Sequence, residues 1–174
     1  MKAHVYVLDH INNNIKNKYP GVYQNFRKDT FNALEYGLKD LMKYRKLIMI
    51  QRAEKEPYER ILGLKDFCKK YRFEFEFRKF PGKKKIQEGA VYMIVNDRDL
   101  VELIRKSERE EMIAGKDFGI ISYNETPLKE ILSGGITTLS TDFKMMGETL
   151  ARLIDDNKKE IIENPWQLNI RNSL

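Results

Sequence analysis

The sequence predicts an α/β protein built on a parallel sheet with helices on its faces. Short apolar runs of strand length alternate along the 174 residues with stretches whose apolar positions recur every three or four residues. The connections between them are short, as parallel α/β units require. A strand, a polar tip and a helix are written out at least twice, at Asn96-Asp97 and again at Tyr123-Asn124-Glu125-Thr126.

The elements follow in order. Residues 5–8 are a short apolar strand, and the polar, Asn-rich stretch 9–20 reads as a connection; the asparagine run 12–14 is too short to be a low-complexity segment. Phe31, Leu34, Leu38, Leu41 and Met42 fall on one stripe and predict a helix over 27–44, followed by a buried strand at 46–50. Ile61, Leu64, Phe67, Cys68 and Tyr71 mark a second helix that begins near Pro57. Phe73, Phe75 and Phe77 then alternate with Glu74, Glu76 and Arg78, the mark of a strand with one solvated face at a sheet edge. Residues 81–89 are a basic loop and 90–95 a continuous apolar strand. Leu100, Leu103, Ile104 and Ser107 set the next helical period, with Asp97 or Asp99 suited to the N-cap. The unit repeats over 118–133, with Thr126 as N-cap and Pro127 at the first helical position. Strand 136–140, a helix striped by Met146, Leu150, Leu153 and Ile154, and a closing strand at 166–170 complete the chain.

Composition narrows the function. With 41% hydrophobic and 11% aromatic residues the chain can bury a real core. The net charge of +6 is dispersed apart from Lys83-Lys84-Lys85, so no stripe marks a nucleic-acid face, and direct DNA contact by these residues is not expected. Cys68 is the only cysteine, which excludes an intrachain disulfide and a cysteine-based metal site. The apolar run at the start is too short for a signal peptide or a membrane span, and the expectation is a soluble cytoplasmic protein without membrane contact.

Motifs for chemistry are few. His4 and His10 have no Ser, Cys or carboxylate at a telling spacing, no phosphate-binding loop is present, and Gly134-Gly135 lacks the spacing of a dinucleotide fingerprint. No cofactor or metal is expected. What remains is a set of polar groups at strand ends: Asn96 and Asp97, then Tyr123, Asn124 and Glu125, with Arg60 in the first turn of the second helix. In a parallel sheet such ends gather along one edge, where open α/β sheets bind ligands. Amide, carboxylate and guanidinium groups beside an aromatic ring suit a polyhydroxylated ligand. Spacing alone leaves a second reading open, in which Asn96 and Asp97 cap a helix and Asn124 and Glu125 shape a turn.

In joint order these residues resemble the effector-binding domains of lactose- and galactose-repressor-type regulators. Those domains have a strand ending Asn-Asp, a later strand ending Gly-Tyr-Asp-Asp-Thr, a Leu-Thr-Thr strand and a helix containing Met-Gly. Here they stand as Asn96-Asp97, Ser122-Tyr123-Asn124-Glu125-Thr126, Ile136-Thr137-Thr138 and Met146-Gly147, with Arg60-Ile61-Leu62-Gly63 upstream and Ile170-Arg171-Asn172-Ser173 at the end. The wording of 22–26, 96–100 and 122–143 is closer still to regulators that join such a domain to a gluconate-repressor-type (GntR) winged helix, among them fucose-operon regulators. The resemblance implies a type I periplasmic-binding-protein fold, two Rossmann-like lobes with a monosaccharide between them. It implies that Arg60, Asn96 and Asn124 line the cleft, with Asp97, Tyr123 and Glu125 nearby. Asn124 and Glu125 depart from the usual Asp-Asp, replacing a charged contact with an amide.

The same resemblance implies an incomplete molecule. A winged-helix domain is absent, 21–134 with 161–174 make a nearly complete C-terminal lobe, and 1–20 with 135–160 make a partial N-terminal lobe whose stripe of Met146, Leu150, Leu153 and Ile154 would lie exposed. It also implies a homodimer through Val101, Ile104, Ile131 and Leu132. The function expected is sugar sensing by a transcriptional regulator that reaches DNA only through the missing domain. A dimerisation module with a vestigial site is the alternative. A small enzyme is the third reading; Asp97 and Glu125 are its only strand-end carboxylates, and nothing pairs with them as a catalytic couple.

Overall fold

The computed structural model describes residues 4–10, 18–52, 56–79, 82 and 84–174; the asparagine run 12–14 and, within the basic loop, Pro81 and Lys83 lie outside the described residues. In chain order the elements are β1 (Val7–Asp9), β2 (Gly21–Tyr23), α1 (Phe26–Tyr36), α2 (Leu38–Leu41), β3 (Lys46–Ile50), α3 (Glu59–Tyr71), β4 (Glu74–Arg78) and β5 (Ala90–Ile94). They continue with α4 (Asp97–Arg109), β6 (Gly119–Tyr123), α5 (Pro127–Ile131), β7 (Thr137–Thr141), α6 (Phe143–Asp155), β8 (Ile161–Glu163) and β9 (Trp166–Asn169).

The strands form two sheets. A six-stranded sheet runs β4-β3-β5-β6-β7-β9, parallel except for β9, which lies antiparallel to β7 with Leu139 opposite Leu168. Its central strands are apolar on both faces because helices cover both. Leu47, Met49, Val91, Met93 and Ile121 meet Leu34, Leu41, Ile61, Leu64 and Phe67 of the first three helices. Ile48, Ile50, Tyr92, Ile94 and Ile120 meet Leu100, Leu103 and Ile104 of α4 on the other side. β4 takes the edge expected of it. The mixed α/β architecture with a mostly parallel sheet therefore stands as predicted.

The second sheet is small, three parallel strands in the order β1-β2-β8. It revises the lobe boundaries read from the sequence. β2 and β8 belong here, although 21–134 and 161–174 were assigned to the larger lobe, and β7 belongs to the large sheet, although 135–160 was assigned to the smaller one. The physical reason is pairing: β7 finds β6 on one side and β9 on the other, while Gly21 lies between Val7 and Ile161. The extra strands also cover the stripe of α6. Met146 and Leu153 are buried against Val22, with Tyr6, Leu150 and Ile162 around them, and of the four stripe residues only Ile154 is exposed.

Two helix expectations are corrected as well. The helix predicted over 27–44 breaks at Gly37, where a Cβ would stand 3.1 Å from the Leu168 side chain, and resumes as the single turn α2. The N-cap of α4 is Asn96, whose Oδ1 accepts from the Arg98 N–H at 2.8 Å; Asp97 and Asp99 sit in the first turn, where a negative charge meets the helix dipole. Pro127 opens α5 after Thr126 as expected, without a side-chain cap bond.

Candidate functional site

The chain passes between the two sheets three times: from β2 into α1, from β7 into α6, and from β8 into β9. Polar side chains tie these passages together. Asn164 donates through Nδ2 to the Gln24 side-chain oxygen at 3.1 Å and to the Asp142 carbonyl at 3.2 Å, and its backbone N–H donates to Tyr23 O at 2.7 Å. Asp142 in turn donates its N–H to the Pro165 carbonyl at 3.2 Å. Gln24 and Asn164 are both almost wholly buried, and burial is affordable for such amides only when they are bonded in this way.

Beside these passages a narrow cleft opens, lined by the start of α1, the start of α3, the carboxyl ends of β6 and β7, and Trp166 of β9. Arg60 stands at its centre. The guanidinium carbon lies 4.5 Å from the Phe26 ring centre and 4.8 Å from that of Tyr123, so the cation packs against two aromatic rings. Glu56, one turn earlier, accepts from its Nη1. The Arg60 Nε is buried and has no hydrogen-bond partner in the protein. A buried unpaired donor is costly, and because Arg60 lines the cleft, a ligand that opened the cleft toward this atom would relieve the cost.

Tyr123 offers its ring more than its hydroxyl, because that hydroxyl is bonded to Thr30 Oγ1 at 2.9 Å. Burial pushes the phenol up to about 12, so it stays neutral. Asn124 follows in a left-handed conformation, φ 63°, which asparagine tolerates better than most residues. Its N–H donates to Leu139 O at 2.9 Å and its carbonyl accepts from Lys129 at 2.8 Å, which fixes the backbone and leaves the exposed side chain on the cleft wall.

The cleft holds a carboxylate that sequence reasoning missed. Asp29, in the first turn of α1, is 5% exposed and accepts from Gln24 Nε2 at 2.6 Å. Burial is the chief cause that pushes its carboxyl up to about 6, the nearby Glu163 adds to the shift, and the Gln24 bond and Lys28 oppose it. A signal for it was present: Phe26, Asp29, Thr30, Ala33 and Leu34 form the buried stripe of α1, and a charged residue on such a stripe asks for a function.

Of the six residues nominated from sequence, Arg60, Tyr123 and Asn124 meet in this cleft, and Asn96, Asp97 and Glu125 do not line it. Asn96 is spent on the helix cap. Asp97 pairs with Lys129 Nζ at 2.8 Å, and that lysine also binds the carbonyls of Tyr123 and Asn124. Glu125 accepts from Thr138, from Asn169 at 2.6 Å and from Arg171 at 2.9 Å; burial alone would raise its pKa, but these bonds together hold it below the usual carboxylate value. Glu125 thus clamps the ends of β6, β7 and β9 rather than facing a ligand. Of the four proposed contact residues, Val101 and Ile131 are exposed, Leu132 is half-buried and Ile104 is a core residue on the sheet-facing side of α4.

Among the described residues no group of three or more His, Cys, Asp or Glu side chains is arranged to hold a metal ion, and no helix is long and apolar enough to cross a membrane. No protein-family model matches the chain. No curated protein matches it in sequence. Solved structures match it closely in fold. A transcriptional regulator CelR in complex with cellobiose superposes with a TM-score of 0.75 at 12% identity, over 97% of this chain and 58% of that one. A LacI-family transcriptional regulator from Enterococcus faecium with bound ribose gives 0.72 at 18% identity, over 97% of this chain and 69% of that one. The Escherichia coli transcriptional repressor ascG gives 0.75 at 14% identity, over 97% and 68%. The chain thus spans between about three fifths and seven tenths of the length of these relatives, and its fold is that of the LacI-type, periplasmic-binding-protein-like sugar-binding domains of transcriptional regulators.

Proposed function

We propose that this chain is the sugar-sensing part of a transcriptional regulator and binds a monosaccharide in the cleft beside the passages that join its two sheets. The observation that carries the reading is Arg60, a buried, cleft-lining guanidinium packed against two aromatic rings with an unpartnered buried donor. Around it Gln24, Asp29, Thr30, Asn124, Ser140 and Thr141 supply amides, a carboxylate and hydroxyls, and Phe26 and Trp166 supply apolar surface for the C–H face of a sugar ring. Contacts of a ligand with Gln24, Thr141 and Trp166, which adjoin the three passages, would bias the angle between the sheets, and through it DNA binding by a winged-helix domain of the GntR type elsewhere in the regulator. The wording shared with fucose-operon regulators makes a fucose-like sugar the first candidate, and a cytoplasmic location follows from such a role.

The reading is non-catalytic. The two strand-end carboxylates an enzyme would need are engaged, Asp97 by Lys129 and Glu125 by Arg171. A dimerisation role accompanies the sugar site rather than replacing it, because Val101, Leu128 and Ile131 expose apolar side chains on α4 and α5, joined by the Asp97–Lys129 ion pair.

The test is thermal unfolding against L-fucose, D-arabinose, L-rhamnose, D-galactose and D-ribose. A sugar at a hundredfold excess over its Kd stabilises the folded state by about 2.7 kcal/mol, a rise of roughly 5–10 °C for a chain of this size. The expected result is a selective rise that is lost in Arg60→Ala and strongly reduced in Asn124→Ala. A rise that both variants retain would remove this cleft as the binding site.

A further inference from the structure

The charges around the cleft define what kind of sugar it can hold. Among its lining residues only Asp29, Arg60 and Tyr123 can ionise, and Tyr123 is held neutral. Arg60 is the sole cation, and Glu56 already offsets its charge. With two aromatic rings packed against it and Nη1 taken by Glu56, the capacity Arg60 has left is the edge carrying the buried, unpartnered Nε, which a ligand would have to open the cleft to reach. That edge alone would serve a carboxylate or a pair of vicinal hydroxyls equally well.

The surroundings decide between them. Asp29 stands on the same wall, buried, with Gln24 as its hydrogen-bond partner and, among the described residues, no cation within ion-pair distance. The lysines that could help an anion are committed: Lys28 to Glu163 at 2.7 Å, and Lys129 to two carbonyls and Asp97. A carboxylate accepts from sugar hydroxyls readily and repels a second anion, and in a site shielded from water that repulsion is poorly screened. We propose, building on the sugar-site reading above, that the cleft selects uncharged sugars over phosphorylated and acidic ones and that Asp29 is the residue enforcing the choice.

The experiment is calorimetric titration at pH 7.5 with matched pairs: D-ribose and D-ribose 5-phosphate, D-galactose and D-galacturonate, L-fucose and L-fucose 1-phosphate. For any pair that binds, the charged member is expected to bind at least tenfold more weakly. In Asp29→Asn, which keeps the shape and a hydrogen bond to Gln24, the two should come within about threefold. A second measurement needs no variant. Galacturonate stays ionised at pH 5 while Asp29, with its carboxyl raised to about 6, takes up a proton, so the galactose preference of the unaltered protein should narrow between pH 7.5 and pH 5. The charged groups whose fields reach Asp29 are Lys28 on α1 and Glu163 on β8, and Arg60 on α3 stands on the same cleft wall; the bond to Lys28 holds Glu163 ionised over that interval.

Equal or tighter binding of the charged member, or a preference that Asp29→Asn and acid both leave intact, would overturn the assignment of Asp29 while leaving the sugar site standing. Failure of the unaltered protein to bind any of the six compounds would overturn the sugar reading and this inference with it.

Discussion

Asp29 carries a stability cost as well as a contact. In the unfolded chain its carboxyl ionises near 3.8 and in the folded chain near 6, so folding takes up a proton between these values and stability falls as pH rises through that window. The penalty is complete above pH 6 and absent below pH 3.8, and a shift of that size corresponds to about 2–3 kcal/mol. Asp29→Asn should therefore raise stability by roughly that amount at pH 7.5 in denaturant unfolding and by almost nothing at pH 3.5. An equal gain at both pH values would show that the effect is not ionisation. Arg60, Tyr123 and Asn124 were legible in the sequence because they stand where a strand or helix begins or ends. Glu125 stood in the same kind of place and misled, because its partners Asn169 and Arg171 lie more than forty residues away and no local spacing reports them.

The site depends on how closely α1 approaches α3, since the first carries Phe26, Asp29 and Thr30 and the second carries Arg60. Gly63 sets that distance. A Cβ there would stand 2.2 Å from the Arg27 carbonyl oxygen and 3.0 Å from Thr30 Cβ, which only a backbone shift could relieve. Gly63→Ala should cost about 1–3 kcal/mol, as overpacking does, and should weaken sugar binding beyond what the stability loss explains, measured by titration well below the melting temperature. A fully folded variant with unchanged affinity would mean that the helices can part without disturbing the cleft. At this scale the sequence was informative where strands are long and helices amphipathic: β3, β5 and β6, five residues each, fall within a residue of expectation. β2 and β8 have three residues each, too few for any period to show, and their place is set by partners distant in the chain.

At the level of the whole molecule, the dimer proposed above would use the exposed apolar groups on α4 and α5. Ile131 is 75% exposed and Val101 41%, while Ile104 is 7% exposed, on the face of α4 that packs against the sheet. Ile131→Asp should convert a dimer to monomers in sedimentation without changing the melting temperature of the monomer, whereas Ile104→Asp should unfold the chain by placing a charge in the core. Dimers that survive Ile131→Asp would move the contact elsewhere. The fold class was readable from order and alternation, and a two-lobe plan only through the resemblance, but the boundary between the sheets was not readable, because β7 and β9 are claimed by pairing and not by anything in their own residues.

The knot of Gln24, Asp142 and Asn164 has a mechanical meaning for such a molecule. Three strands of chain pinned at one place act as a fulcrum, so a turn of one sheet against the other leaves this place nearly still and carries the far ends through an arc that grows with their distance from it. Gln24 is part of the fulcrum and also the partner of Asp29 in the cleft. A sugar bound as proposed would press at the short arm of a lever, and whatever is attached at the long arm would move furthest.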